Sequence, residues 1–150
     1  MIRLDYPEPA FRTRQQLGKT EIFDRFRRAW VKLTPEEWVR QNILSWFTET
    51  LQYPAELIAV EKELQVGAMR KRYDILLFDP AHQPWMLVEC KAPEVTLGEK
   101  TLLQILRYNM KMQAAYLLVT NGHYAYAADI RAVPAAWLTR MPVFPSSQQA

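Results

Sequence analysis

The chain of 150 residues is long enough to bury a hydrophobic core as a single domain without structural metals. It contains 49% apolar and 23% charged residues, as globular proteins do, and its net charge of +3 is compatible with a nucleic-acid partner. One cysteine excludes an internal disulfide, and no run approaches the roughly 18 apolar residues of a membrane span, so we expect a protein of the reducing cytoplasm that does not enter a membrane.

The chain begins with a segment that lacks periodicity. Residues 1–19 mix proline, arginine, glutamine and glycine, and we predict an irregular arm. Residues 21–33 are ambiguous, because their pattern fits either a short helix or an extended segment.

The first clear helix is predicted over residues 34–52. Thr34 is a good N-cap, Pro35 suits the first helical position, and Glu37 is spaced to complete a capping box. Apolar residues then recur at helical spacing, and the pair Tyr53-Pro54 ends the helix.

Three strands are predicted next, over residues 57–66, 72–79 and 85–92. Gly67 marks the first connection, and residues 80–84 form the second. Both connections are too short for a crossover helix, so the three strands should form an antiparallel meander.

The C-terminal part is predicted to contain one more helix and a hairpin. An apolar stripe indicates a helix over residues 96–114, and residues 116–120 form the next strand. Asn121-Gly122 is typical of a two-residue hairpin turn, which leads into a strand over residues 123–130.

These elements predict an α/β protein with a mixed sheet flanked by helices. The order is one helix, three strands, a second helix and two further strands. The polar residues 145–150 should form a flexible tail, which leaves residues 20–144 as one folded domain.

Three charged residues interrupt the apolar strands of the meander. Asp74 opens the second strand, while Glu89 and Lys91 share one face of the third. If the hairpin folds about residues 80–84, Asp74 lies opposite Glu89, and a divalent cation would offset the repulsion of the two carboxylates. From spacing alone, the alternatives are a metal-dependent phosphodiesterase site and an ion cluster at the end of a sheet.

Six sequence blocks extend this pattern to most of the chain. They are "LTPEEWVRQNIL", "YPAELIAVEKEL", "RYDILLFD", "LVECKAPEV", "QILRYN" and "LLVTNGHYAY". In order and spacing they resemble the N-terminal domain of type I restriction enzyme R subunits, a member of the PD-(D/E)XK nuclease superfamily that also occurs as short bacterial proteins. The resemblance covers residues 30–130. It implies a restriction-endonuclease-like fold with an αβββαβ core, and a nuclease that needs Mg²⁺ or Mn²⁺.

The resemblance assigns a role to each of the three charged residues. Asp74 and Glu89 match the metal-binding acids, the backbone carbonyl of Cys90 is a further ligand, and Lys91 matches the catalytic lysine. Tyr73 stands where the superfamily name has proline, which is a common departure. The Cys90 side chain lies in an apolar strand and should be a buried, inert thiol.

Further site residues are predicted on the second helix. Gln104 and Tyr108 match the Q-x-x-x-Y motif of such R-subunit domains and should act in catalysis. They lie four residues apart on one helical face, with Arg107 and Lys111 close by to bind a phosphate backbone. The alternative for this face is simple solvation.

Three glutamates have two explanations each. Glu37 matches the extra metal ligand that many superfamily members carry on the first helix, but its capping role explains it equally well. Glu61 and Glu63 lie on the polar face of the first strand of the meander, where they either approach the metal or are solvated.

A basic run precedes Asp74 and is a candidate for nucleic-acid binding. Sequence-independent binding to phosphates needs only such positive charge, and the alternative is a solvated turn. The residues are Arg70, Lys71 and Arg72, together with Arg25, Arg27 and Arg28.

DNA is therefore the expected partner, and a homodimer would suit a nuclease that cuts both strands. His82 and His123 lack partners at metal-binding spacing. There is no Walker phosphate loop or helicase motif, so the ATP-driven motor of a type I R subunit is expected to be absent from this chain. The competing interpretation is a catalytically silent nucleic-acid-binding module, or an assembly subunit, with the same fold.

Overall fold

The N-terminal residues form strands in place of the irregular arm predicted over residues 1–19. This computed structural model describes residues 1–146, and its first four strands are β1 (Ile2–Arg3), β2 (Thr13–Gln16), β3 (Lys19–Asp24) and β4 (Ala29–Lys32). The strands β2, β3 and β4 form a small antiparallel sheet. The prediction of an irregular arm is therefore wrong for residues 2–3, 13–16 and 19, while residues 4–12 form no helix or strand. The extended alternative for residues 21–33 is correct.

The first helix begins where its cap predicts. α1 (Pro35–Ser45) follows Thr34, whose hydroxyl oxygen accepts a hydrogen bond from the N–H of Glu37 at 3.0 Å. The helix continues for one wider turn, Trp46–Thr50, in which hydrogen bonds span five residues. Its length therefore agrees with the prediction over residues 34–52.

The remaining elements build a mixed sheet in the predicted order. They are β5 (Ile58–Val66), β6 (Met69–Phe78), β7 (Pro84–Cys90), α2 (Glu99–Asn109), β8 (Tyr116–Thr120), β9 (Tyr124–Asp129) and β10 (Ala136–Trp137). The strand order is β1-β9-β8-β7-β6-β5, and β10 also pairs with β9. The strands β5, β6 and β7 form the expected antiparallel meander, whereas β7 and β8 are parallel and are connected through α2. The structure is thus of the mixed α/β class, although α2 is shorter than predicted.

The two faces of this sheet are covered by different helices. Side chains of α1 pack with Ile75, Met86 and Val88 on one face. Side chains of α2 pack with Leu76, Leu87 and other residues on the opposite face. Because both faces are covered, β7 is buried from Trp85 to Cys90, and any charged group at its end lies at the margin of the core.

The loop between β8 and β9 is longer than the predicted two-residue turn. β8 ends at Thr120 and β9 begins at Tyr124, so residues 121–123 form the connection. Within it, Gly122 has a φ of 91° and lies against α1, where a Cβ atom would be 2.9 Å from Cγ2 of Val39. The local sequence of the hairpin could not reveal this contact, since Val39 belongs to a helix that is distant in the sequence.

Gly122→Ala is therefore expected to lower the free energy of unfolding by about 2 kcal/mol, because it adds left-handed strain and a clash with a stiff valine. Urea denaturation followed by circular dichroism measures the change. Gly18→Ala is the matched control, since Gly18 has a φ of 75° but open space around its Cα, and it should lose only about 1 kcal/mol. Equal losses in the two variants would contradict the contact with Val39.

None of the helices formed by residues 1–146 has both the length and the apolar character needed to cross a bilayer. The tail predicted at residues 145–150 lies mostly outside the described residues, which end at 146. The assignment of residues 20–144 to one domain stays a prediction.

Candidate active site

The hairpin of β6 and β7 has the register that its turn predicts. The last pair of the ladder is Ile75 with Val88. Beyond this pair, the next residue is Asp74 in β6 and Glu89 in β7. There the carboxylate of Asp74 accepts a hydrogen bond from the N–H of Cys90, with 2.8 Å between N and Oδ2. Since the N–H and C=O of a strand residue point toward the same neighbouring strand, the Cys90 carbonyl also faces the strand of Asp74.

The regular alternation of β6 breaks at Asp74. Tyr73 packs with the side chains of α2, while Ile75 packs with those of α1, although residues two apart share a face in a regular strand. Opposite this point, Glu61 of β5 has a φ of 55°. The β5–β6 ladder pairs Val60 with Ile75 and Lys62 with Tyr73, and it skips Glu61 and Asp74 between them. The distortion directs the Asp74 side chain toward α1.

Arg40 of α1 holds the Asp74 carboxylate. Its Nη2 donates to Oδ1 of Asp74 at 2.9 Å, and its Nη1 donates to Oε1 of Glu37 at 2.6 Å. Burial lowers the pKa of Arg40, but the hydrogen bond with Asp74 and the charges of Glu37 and Asp74 outweigh burial and raise the pKa overall. The guanidinium is therefore a permanent counter-charge for both carboxylates.

The Glu37 carboxylate serves this ion network instead of the helix cap. Besides Arg40, it accepts hydrogen bonds from Nη2 of Arg27 at 2.7 Å and from Nε2 of Gln41 at 3.1 Å. Arg27 also binds Asp24 and lies 3.4 Å from a carboxylate oxygen of Glu61. Only the Thr34 half of the predicted capping box is formed, and both oxygens of Glu37 are occupied. These contacts give no support to Glu37 as a metal ligand.

A surface pocket beside α2 brings together most of the predicted site. Its volume is about 330 Å³. The residues that line it are Lys71, Glu89, Lys91, Gln104, Ile105, Tyr108 and Asn109. Four of the five predicted catalytic residues, Glu89, Lys91, Gln104 and Tyr108, are therefore neighbours. Asp74 is not part of this lining and lies beside Cys90 with its carboxylate bound to Arg40.

Glu89 is paired with a lysine of the neighbouring strand. Its carboxylate is largely buried, and Nζ of Lys71 lies 2.5 Å from Oε1. The angle between the ammonium and the carboxylate does not meet hydrogen-bond geometry, so Oε1 has no hydrogen bond. The contact between Lys71 and Glu89 is therefore described as an ion pair. The same ammonium lies 5.0 Å from the centre of the Tyr108 ring and 5.4 Å from that of Tyr73. Such positions over aromatic faces stabilise a cation.

A buried hydrogen bond attaches α2 to this strand. The hydroxyl of Tyr73 donates to Oδ1 of Asn109, and Nδ2 of Asn109 donates to the carbonyl of Ile105 at 2.8 Å. Burial, and after it the charge of Glu89, raises the pKa of Tyr73, which keeps the phenol neutral. This bond sets the distance between the helix that carries Gln104 and the strands that carry the charged residues.

The predicted basic patch is divided between the two faces of β6. Lys71 points to the pocket, whereas Arg70 lies at the exposed side and is 3.7 Å from a carboxylate oxygen of Glu63. Arg72 is also exposed, because neighbouring residues of a strand alternate between faces. Arg107 and Lys111 are exposed on and just after α2, as expected. Glu61 and Glu63 belong to ion pairs with arginines, and no described contact brings them to Glu89.

The chemistry of the donor set fits a hard divalent cation. Among residues 1–146, no three His, Cys, Asp or Glu side chains are grouped so that they could hold a metal alone. Mg²⁺ nevertheless commonly uses only one or two carboxylates together with water and substrate oxygens. Asp74, Glu89 and the Cys90 carbonyl carry such oxygens, but those of Asp74 already accept hydrogen bonds from Arg40 and Cys90, and Oε1 of Glu89 is paired with Lys71. The Cys90 thiol is buried as predicted, and burial raises its pKa well above the usual range, which disfavours the reactive thiolate.

Two residues of the site escaped the sequence prediction. Arg40 lies with Glu37 and Gln41 on a buried side of α1, and this spacing of polar residues on a core-facing stripe was the signal for a buried ion network. Asn109 is fully buried at the end of α2, and nothing in the local pattern distinguishes it from a solvated helix terminus.

Comparison with known protein families gives a match over most of the chain. A family model described as the type I restriction enzyme R protein N terminus matches residues 35–145. The matched segment begins with α1 and contains every residue predicted to act in catalysis or to bind metal, but not Arg25, Arg27 and Arg28 of the predicted basic patch. No match was found among curated proteins.

Proposed function

Because this chain belongs to the family of type I restriction enzyme R protein N-terminal domains, we propose that it is a metal-dependent nuclease that hydrolyses phosphodiester bonds of DNA. The observation that carries the proposal is the pocket lined by Glu89, Lys91, Gln104 and Tyr108, with Asp74 held at the adjoining strand end. In the proposed fold, α1, β5, β6, β7, α2 and β8 form the αβββαβ core of a restriction endonuclease.

The carboxylates of Asp74 and Glu89 and the carbonyl of Cys90 would hold Mg²⁺ or Mn²⁺. When bound, this cation supplies Lewis-acid polarisation of the phosphate and activation of the attacking water. Arg40 holds the Asp74 carboxylate beside Cys90, because its guanidinium donates to Asp74 on one side and to Glu37 on the other. A cation at this site would compete with Arg40 and the N–H of Cys90 for Asp74, and with Lys71 for Glu89.

The side chains around the pocket would act on the phosphate and on water. The ammonium of Lys91 is free to position the attacking water or to neutralise charge that develops on the phosphate. Gln104 and Tyr108 are exposed on one face of α2 and can donate hydrogen bonds to the phosphate of the bound strand. Arg107 and Lys111 extend this face with positive charge.

Metal-dependent nicking of plasmid DNA is the expected activity. Wild-type protein should nick supercoiled plasmid with Mg²⁺ or Mn²⁺ and not with EDTA, and Glu89→Gln should lower the rate at least about 100-fold by removing a metal ligand. Gel electrophoresis of the plasmid measures the rate. Glu56→Gln, at an exposed position of the turn before β5, is the control and should cleave like wild type. Equal rates in Glu89→Gln and wild type would reject the site.

A second candidate function is a binding module without turnover, and one observation favours it. Asp74 is already paired with Arg40, and Glu89 with Lys71, so each of the two carboxylates has a counter-ion from the protein without a metal. A silent module that retains the metal site would be stabilised against heat by Mn²⁺ without cleaving DNA or RNA. A purely structural ion cluster would show no rise in melting temperature with Mn²⁺ at any concentration.

A further inference from the structure

The two acids of the proposed metal site are neutralised by cations of very different mobility. Arg40, whose side chain is only 7% exposed, is fixed between Glu37 and Asp74 by hydrogen bonds. Lys71 is 21% exposed and contacts Glu89 through a single ammonium at the rim of the pocket. A lysine ammonium on a flexible four-carbon stem can be repositioned, whereas a guanidinium held by two carboxylates cannot.

Lys71 also stands where a metal ion would have to bind. Its ammonium is 2.5 Å from Oε1 of Glu89, and a divalent cation on the same oxygen would repel it strongly. Space for such a movement is provided by the pocket of about 330 Å³ that Lys71 itself lines, and the rings of Tyr73 and Tyr108 would remain close to the ammonium. Once released from Glu89, the lysine would be an uncompensated positive charge in that pocket.

We propose that Lys71 is an exchangeable counter-ion of Glu89, which leaves the carboxylate when a divalent cation binds and then holds a phosphate of the nucleic acid in the same pocket. This inference rests on the proposed function and adds a phosphate-binding residue to it. It also links the two binding events, because an unpaired ammonium beside Lys91 attracts a phosphate more strongly than an ammonium that is neutralised by Glu89.

Metal affinity in the absence of DNA tests the first half of the proposal. Lys71→Met keeps the aliphatic stem against the tyrosine rings but has no charge to displace. It should bind Mn²⁺ about tenfold more tightly than wild type in isothermal titration calorimetry, a difference of about 1.4 kcal/mol. Without Mn²⁺ the variant should melt at a lower temperature than wild type, and saturating Mn²⁺ should narrow that gap. A purely structural lysine would leave the gap unchanged.

DNA affinity tests the second half. Fluorescence anisotropy with a short duplex is measured in EDTA and in Ca²⁺, a cation with looser coordination that we use in place of Mg²⁺ to limit cleavage. Ca²⁺ should raise the DNA affinity of wild type. In Lys71→Met the factor by which Ca²⁺ raises the DNA affinity should be about tenfold smaller. Lys19→Met, which removes an exposed lysine of the small N-terminal sheet, is the matched control and should behave as wild type in both assays.

The outcomes separate the role of Lys71 from the proposed function. If wild type binds Mn²⁺ and Lys71→Met binds it equally or more weakly, the exchange is refuted while the metal site stands. Ca²⁺-stimulated DNA binding that is unchanged in Lys71→Met refutes the phosphate contact. If wild type binds no Mn²⁺, the proposed nuclease function itself fails, and the exchange fails with it. Should Lys71→Met not fold, Lys71→Gln provides the same neutral change and the same expected direction.

Discussion

Arg40→Met is expected to lower the free energy of unfolding by about 3–5 kcal/mol, the largest stability change that we predict for a single substitution in this protein. The guanidinium joins α1 to β6 through Glu37 and Asp74. Its removal leaves Asp74 without a counter-charge, bound only by the N–H of Cys90, and methionine fills the volume without replacing the hydrogen bonds of the guanidinium. Urea denaturation of the two proteins, followed by tryptophan fluorescence, measures the difference.

An exposed ion pair provides the comparison for Arg40. Arg14 contacts Glu21 at 2.9 Å in the small N-terminal sheet, but its side chain is 39% exposed. Arg14→Met should therefore change stability by less than about 1 kcal/mol, since solvent screens such pairs. A loss in Arg40→Met as small as that in Arg14→Met would mean that the buried network between α1 and β6 does not form.

Lys91→Ala is expected to lower the rate of plasmid nicking at least about 100-fold while the protein still binds metal. The ammonium of Lys91 lines the pocket beside Glu89, where it can act on water and on the phosphate. The fold should persist, because the backbone N–H of residue 91 still donates to the carbonyl of Thr120. Gel assays of nicking and Mn²⁺-induced shifts of the melting temperature measure the two properties separately.

This combination of lost cleavage and kept metal binding distinguishes a catalytic lysine from a structural one. Lys62→Ala is the control, since Lys62 is exposed on β5 and has no assigned role. Nicking by Lys91→Ala at the wild-type rate would remove Lys91 from the proposed mechanism. Loss of the Mn²⁺ shift would instead indicate that Lys91 supports the metal site structurally.

Local patterns were sufficient for the central elements of the fold. Thr34 and Pro35 mark the start of α1, because capping depends only on neighbouring residues. The short connection at residues 80–84 determines the register of β6 and β7, and this register brings Asp74 beside the strand of Glu89 and Lys91. The four-residue spacing of Gln104 and Tyr108 places both on one face of α2, and the pocket contains them.

Contacts between segments that are distant in the sequence were decided only by the tertiary structure. β1 forms because Ile2 pairs with Ala125, and no local pattern in the first residues reveals that partner. The sequence by itself determined which charged residues lie at the end of the meander and which helical face approaches them. The fold decided that Arg40 neutralises Asp74 and that Lys71 neutralises Glu89, because the pairing of charges depends on how the distorted strand β6 turns its side chains toward the two helices.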